Sequence, residues 1–147
     1  MPTNLLPKRP TPPRSAKARS VSAPARRVLI KAGRITIRAE LLDTATADRV
    51  WAALPLYSTA ERWGQSIHFE TPVETGRDRT ARVLATPGEI YFWVEDDRIL
   101  IVFGPTPISR PGEVRLPRPC NLWAKALDDV TPLKDVAPGE KVSVTVA

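Results

Sequence analysis

Closely spaced turn signals constrain this chain more than any other feature. From about residue 27 onward, Gly, Pro and Asp clusters recur every ~8–12 residues, which leaves room only for short elements between them. Most of these segments alternate apolar and polar residues, which is the pattern of a half-buried strand. Seven or eight such strands with one helix predict an all-β domain, built as a sandwich or a barrel.

The helix is predicted at about 47–54, where apolar residues recur at helical spacing between Thr46, a suitable N-cap, and Pro55. Residues 74–80 are predicted to be a polar surface loop, and 131–136 a single helical turn. Residues 109–119 contain three prolines and are predicted to be irregular. Strands are predicted over 27–32, 34–41, 66–71, 81–85, 89–94, 98–103, 121–127 and 141–146.

The positive charge is concentrated at the N-terminus. The net charge is +6, yet the first 27 residues contain seven basic residues and no acidic one, so the remainder is close to neutral. Residues 1–26 are rich in Pro, Ser, Ala and basic residues and are predicted to be a disordered tail. Residues 27–147 are predicted to form one domain. Four interpretations of the tail stay open: nucleic-acid binding, a polyproline ligand, an organelle address, or chain upstream of a native start.

The sequence also indicates the cellular compartment in which the protein is expected. No apolar run approaches the ~20 residues that cross a bilayer, and the start has no apolar secretory segment. Cys120 is the single cysteine, which excludes an internal disulfide. A cytoplasmic protein is therefore expected, with its oligomeric state open.

The sequence lacks the residues that several kinds of metal site and catalytic site require. His68 is the single histidine and Cys120 stands alone, so no standard zinc site and no other metal is expected. No glycine-rich phosphate loop and no nucleophile elbow is present, and no cofactor is predicted. The acidic stretches 95–97 and 128–129 are interpreted as solvated loops, with cation binding as the alternative.

Three consecutive aromatic residues are the most informative remaining feature. In a strand, Tyr91 and Trp93 lie on one face and Phe92 on the other. One of these faces belongs to the core. The other is either packed as well or forms the wall of a ligand pocket.

Five motifs in a fixed order resemble the small prokaryotic cyclophilin-like proteins. They cover the chain from about residue 27 to its end. They are Leu54-Pro55 with Trp63-Gly64-Gln-Ser-Ile-His-Phe-Glu-Thr-Pro72, Gly88-Glu-Ile-Tyr-Phe-Trp93, Phe103-Gly-Pro-Thr-Pro107, Asn121-Leu122 and Gly139-Glu-Lys-Val142. The resemblance implies a closed β-barrel of about eight strands with one capping helix. Many members have no assigned activity.

The sequence departs from the family at positions that matter. Ser66 replaces a glutamate of the family motif and His68 replaces a tyrosine, while 95–97 replaces a Pro-Pro-Gly stretch. True cyclophilins use an arginine within a Phe-His-Arg signature to isomerise prolyl bonds, and residues 67–70 contain no arginine. Arg82 or Arg38 is an alternative, but spacing selects neither.

A binding function is therefore expected rather than catalysis. The ligand would be a small molecule or a peptide held in an aromatic pocket. The alternatives are a weak peptidyl-prolyl isomerase and an adaptor that contacts nucleic acid or an acidic surface through the tail. The predicted ligand-binding residues are Trp63, His68, Phe69, Arg82, Tyr91, Trp93 and Phe103.

Overall fold

The computed structural model describes residues 24–147, so the predicted tail lies almost wholly outside the described residues. The first described element is a hairpin of β1 (Arg27–Ala32) and β2 (Ile35–Leu41). Gly33 makes its turn with φ +58°, a conformation that glycine adopts without strain. The hairpin prediction is confirmed.

The helix α1 spans Ala45–Ala53, two residues earlier at its start than predicted. Its N-cap is Thr44, whose hydroxyl accepts the Ala47 N–H at 3.0 Å. The prediction of Thr46 as N-cap is wrong. Thr46 is fully buried, and its hydroxyl instead bonds to Asp78 and Asn121.

Eight further strands complete the domain. The prediction that 109–119 is irregular throughout is wrong, because β9 already begins at Arg115. Its first half pairs with β6 through a shifted register, which accommodates Pro117 and Pro119. A 3-10 turn at Thr131–Asp135 confirms the predicted helical turn. The strands are β3 (Leu56–Thr59), β4 (Glu61–Arg62), β5 (Ser66–Glu70), β6 (Arg82–Leu84), β7 (Glu89–Trp93), β8 (Arg98–Val102), β9 (Arg115–Ala126) and β10 (Lys141–Val146).

The strands form one antiparallel sheet in the order β3-β10-β1-β2-β9-β7-β8-β5-β4, with β6 added beside β9. The prediction of a mostly β domain with one helix is confirmed. The predicted closed barrel of about eight strands is not shown, because there are ten strands and no ladder joins β3 to β4 within 24–147. These two strands are nevertheless consecutive in the chain, separated only by Ala60.

The sheet buries side chains on both faces. The inner face holds the main core, which includes Phe69, Phe92 and Trp123, all fully buried. The outer face of β7, β8 and β9 holds a second cluster around Tyr91 and Leu100. This arrangement confirms that Tyr91 and Trp93 share one face and that Phe92 lies on the other.

The segment 104–119 contributes to the second cluster, is attached to residues 64–65 near its start, and is held in shape by hydrogen bonds within it. Near its start, Gln65 N–H donates to Pro105 O at 3.0 Å, and Gly64 lies so close that a Cβ there would approach Pro107 Cδ to 2.7 Å. Further along, Ser109 Oγ accepts the N–H groups of Thr106 and Arg115, each at 2.9 Å. The motif around Gly64 and the motif at 103–107 therefore contact each other and stabilise the fold.

Candidate ligand-binding face

Beside the second cluster, the outer face of β5 and β7 is partly open. His68 projects outward from β5, between the inward-facing residues Ile67 and Phe69. Trp93 projects outward from β7. Their rings meet edge to face, with centroids 6.0 Å apart and planes at 70°.

Arg98 of β8 joins this pair. Its Nη1 lies 3.3 Å from His68 Nδ1 and donates to Glu61 Oε2 at 3.0 Å, while Asp96 Oδ2 is 4.0 Å from its Nε. The Arg98 side chain is only 19% exposed, so it is held in place and its charge is compensated. We call Glu61, His68, Trp93, Asp96 and Arg98 the open face.

The surroundings of His68 define its protonation. Burial lowers its pKa below 6.5 and the Arg98 charge lowers it further, against weaker opposing effects of Glu61 and Asp96. The imidazole is therefore neutral at pH 7. A guanidinium only donates, so Nδ1 is the acceptor and the proton is assigned to Nε2. No described residue bonds to Nε2, so its N–H is a donor without a partner among residues 24–147.

Trp93 is fixed by packing. Its ring lies against the second cluster, and its Nε1 atom is buried without a hydrogen-bond partner among residues 24–147. The exposed part of Trp93 is therefore an apolar surface in a defined position.

Two predicted site residues, Tyr91 and Arg82, form a separate network. Tyr91 is fully buried; its hydroxyl donates to Glu89 and accepts the Thr86 N–H at 3.2 Å. Burial and the hydrogen bond to Glu89 raise the pKa of Tyr91, so it stays protonated. Arg82 Nη1 lies 3.5 Å from Glu89. These contacts join β6 to β7 and leave the Tyr91 ring inaccessible.

The remaining predicted residues do not extend the open face into a pocket. Phe69 is fully buried in the main core. Phe103 is half-buried with the Arg62 guanidinium 5.3 Å from its ring centroid, and the Trp63 carbonyl accepts the Ser66 hydroxyl at 2.6 Å. Among residues 24–147, His68 and Trp93 are the only two of the seven predicted residues that form an aromatic ring pair.

The sequence did not single out Arg98 and Glu61, which complete the open face. Strand alternation puts Arg98 on the outer face, but its nearness to His68 depends on the pairing of β5 with β8, where Glu70 opposes Arg98. Arg38, the other arginine considered, forms a forked ion pair with Asp128 at 2.7 Å. In the described part of the chain, no three His, Cys, Asp or Glu side chains are grouped to hold a metal.

Comparison with known proteins identifies the family. A family model described as Cyclophilin-like matches residues 26–145, so the chain belongs to the cyclophilin-like family. The solution structure of a hypothetical protein from Archaeoglobus fulgidus is similar, with a TM-score of 0.73 and 30% identity, over 84% of this chain and 95% of that one. The resemblance expected from the five ordered motifs is thus confirmed.

A more distant match shows the fold alone. McbB, solved in complex with tryptophan, has a TM-score of 0.62 and 14% identity, over 81% of this chain and 44% of that one. No curated protein matches the chain significantly. Among residues 24–147, no helix has the length and apolar character needed to cross a membrane.

Proposed function

We propose that this cyclophilin-like domain binds a short, uncharged peptide segment, or a small molecule of similar chemistry, on the open face. The observation that carries the proposal is the contact between the His68 ring, whose Nε2–H bonds to no described residue, and the half-exposed Trp93 ring. A peptide carbonyl would accept from His68, and an apolar side chain would lie against Trp93.

The charges of the open face favour a neutral ligand. Arg98 is already paired with Glu61 and lies near Asp96, so a ligand carboxylate would have to displace an existing partner. A ligand that presents a carbonyl and an apolar group makes no such demand. Since the open face is an exposed surface rather than an enclosed cavity, we expect affinities in the micromolar range or weaker, about −8 kcal/mol or less favourable.

Tryptophan fluorescence tests the proposal. The full-length chain is titrated with a panel of end-capped tetrapeptides that carry Pro, Phe or Leu at the centre. We expect a saturable change for at least one peptide, lost in Trp93→Phe and retained in Trp51→Phe. Trp51 is a matched control because it is also half-buried but lies on α1, against Arg26. A response that survives in Trp93→Phe would place the ligand elsewhere.

Arg98 favours one second candidate, a weak prolyl isomerase. Isomerisation is assisted when a donor bonds to the prolyl nitrogen, and Arg98 places a guanidinium on the same face as Trp93. Its pairing with Glu61 weakens this candidate, because the donor is already engaged.

A protease-coupled assay on a proline tetrapeptide separates the two functions. The isomerase candidate predicts acceleration over buffer by the full-length chain and its loss in Arg98→Ala. Binding by fluorescence without acceleration would leave the binding function and remove the isomerase.

A further inference from the structure

A cavity of about 680 Å³ opens on the outer surface of β1, β3 and β10, on strands that carry no residue of the open face. Its walls are built by strand register: Ser143 on the middle strand is opposed by Lys31 on one side and by Tyr57 on the other. One step along, Lys141 opposes Thr59. None of the seven residues predicted from the sequence lines this cavity.

The charge of this cavity is one-sided. It is lined by Lys31, Lys141 and hydroxyl-bearing residues, with no acidic side chain in its wall. Within 24–147, neither lysine takes part in an ion pair, whereas eight contacts pair other basic residues with carboxylates. Two uncompensated ammonium groups at one concave surface attract an anion.

The Glu140 carboxylate lies at the end of the cavity but forms no ion pair with either lysine. Glu140 packs against Gly33 at the end of the cavity, where a Cβ on residue 33 would collide with its carboxylate. Its Oε1 accepts the Ala137 N–H at 2.7 Å. Glu140 therefore stabilises the 137–140 turn, and its carboxylate is paired with neither Lys31 nor Lys141.

An exposed aromatic ring stands at the opposite side of the cavity. Tyr57 is 73% exposed, the highest value among the large apolar or aromatic side chains described as exposed. Because Lys31 and Tyr57 are two strand spacings apart, their backbones are separated by about 10 Å. That distance suits a ligand with a flat ring at one end and an acidic group at the other.

We propose that this cavity is a second binding site, for small organic anions that carry a flat ring. The phosphate or carboxylate lies between Lys31 and Lys141, the ring lies on Tyr57, and the hydroxyls of Thr59 and Ser143 are placed to bond to the ligand's polar atoms. The site is independent of the open face.

Site-resolved NMR of the full-length chain tests this site with defined probes. Adenosine monophosphate and benzoate carry both a ring and an acidic group, while adenosine and inorganic phosphate each supply one half. We expect at least one of the two ring-bearing anions to shift the amides of Lys31, Tyr57 and Ser143 saturably. We expect both half-ligands to bind at least about tenfold more weakly, and binding to weaken as salt is raised.

Charge-matched variants separate this cavity from general attraction to a basic chain. Lys31→Glu and Lys141→Glu should each weaken binding of the anion at least about tenfold, and Tyr57→Ala should weaken it as well. Lys134→Glu changes the net charge equally, at an exposed position outside the cavity, and should leave it nearly unchanged.

Three results would overturn the proposal: no shift of the cavity amides with either ring-bearing anion, saturable binding of adenosine as strong as that of adenosine monophosphate, or equal loss in Lys134→Glu and Lys31→Glu. Tetrapeptide binding lost in Trp93→Phe and kept in Lys31→Glu would remain evidence for the open face, so the two sites fail separately.

Discussion

The outer surface of β7 and β8 has two halves that differ in their exposure to solvent. The covered half, Tyr91 and Leu100, is fully buried within the second cluster, to which 104–119 contributes Leu116. The open face shares these two strands through Trp93 and Arg98, yet its Trp93 stays half-exposed. Alternation along a strand places Tyr91 and Trp93 on one side, but it is the chain lying over the sheet that separates a packed aromatic from an accessible one.

The largest effect is expected from removing a side chain of the covered half. Leu100→Ala leaves a cavity in a closed cluster and should lower the free energy of unfolding by about 2–5 kcal/mol. His68→Ala, directly across the ladder from Leu100, should cost less than half of that because His68 is only half-buried. Urea denaturation of the two variants measures both values, and equal losses would abolish the distinction between the halves.

Weakening the hydrogen bonds within the segment 104–119, which covers this half, should have an intermediate effect on the free energy of unfolding. Ser109→Ala removes the acceptor of the Thr106 and Arg115 N–H groups and should cost about 1–3 kcal/mol. Hydrogen exchange should show faster exchange at those two amides and at Leu122 N–H, which belongs to the cluster beneath. Unchanged exchange at Leu122 would mean that this segment does not protect the covered half.

Substitution of His68 on the open face should change peptide binding more than stability. His68→Gln keeps a donor and should retain peptide binding within about threefold, whereas His68→Phe removes it and should weaken binding about tenfold. Titration by fluorescence compares the two variants. Equal affinities would show that the donor of His68 contributes nothing to binding.

The smallest expected effect is the pH dependence of stability. The pKa of His68 is lowered in the folded chain, so below about pH 6.5 the unfolded state binds the proton more readily than the folded state. The contribution of His68 to the free energy of unfolding is present above that pH and is lost as pH falls through the folded-state pKa. His68→Gln should lack this decline in urea denaturation, since the chain has no other histidine. A decline of the same size in the variant would assign it to carboxylates.

Features determined by local sequence could be predicted. The hairpin around Gly33 follows from a turn residue between alternating arms, and the last strand follows from alternation alone. By contrast, β3 and β4 contain four and two residues, too few for a periodic pattern, and they are strands only through β10 and β5.

Features determined by distant contacts could not be predicted. Thr44 and Thr46 are equivalent as caps by sequence, and the choice depends on the buried network in which Asn121 Nδ2 donates to Thr46 at 2.9 Å. For the same reason, the open face could be predicted only in part. Its two aromatic rings could be named, but Arg98 reaches His68 only through the register of β5 and β8.

The indole N–H signals of the four tryptophans offer the most direct test of the central claim that the open face binds a ligand. Each indole gives its own peak in a ¹⁵N–¹H spectrum, which Trp→Phe variants assign. During titration with the tetrapeptides, we predict a saturable shift of the Trp93 peak, while the peaks of Trp51 and Trp123 stay in place. A static Trp93 peak while another indole shifts saturably would contradict the account.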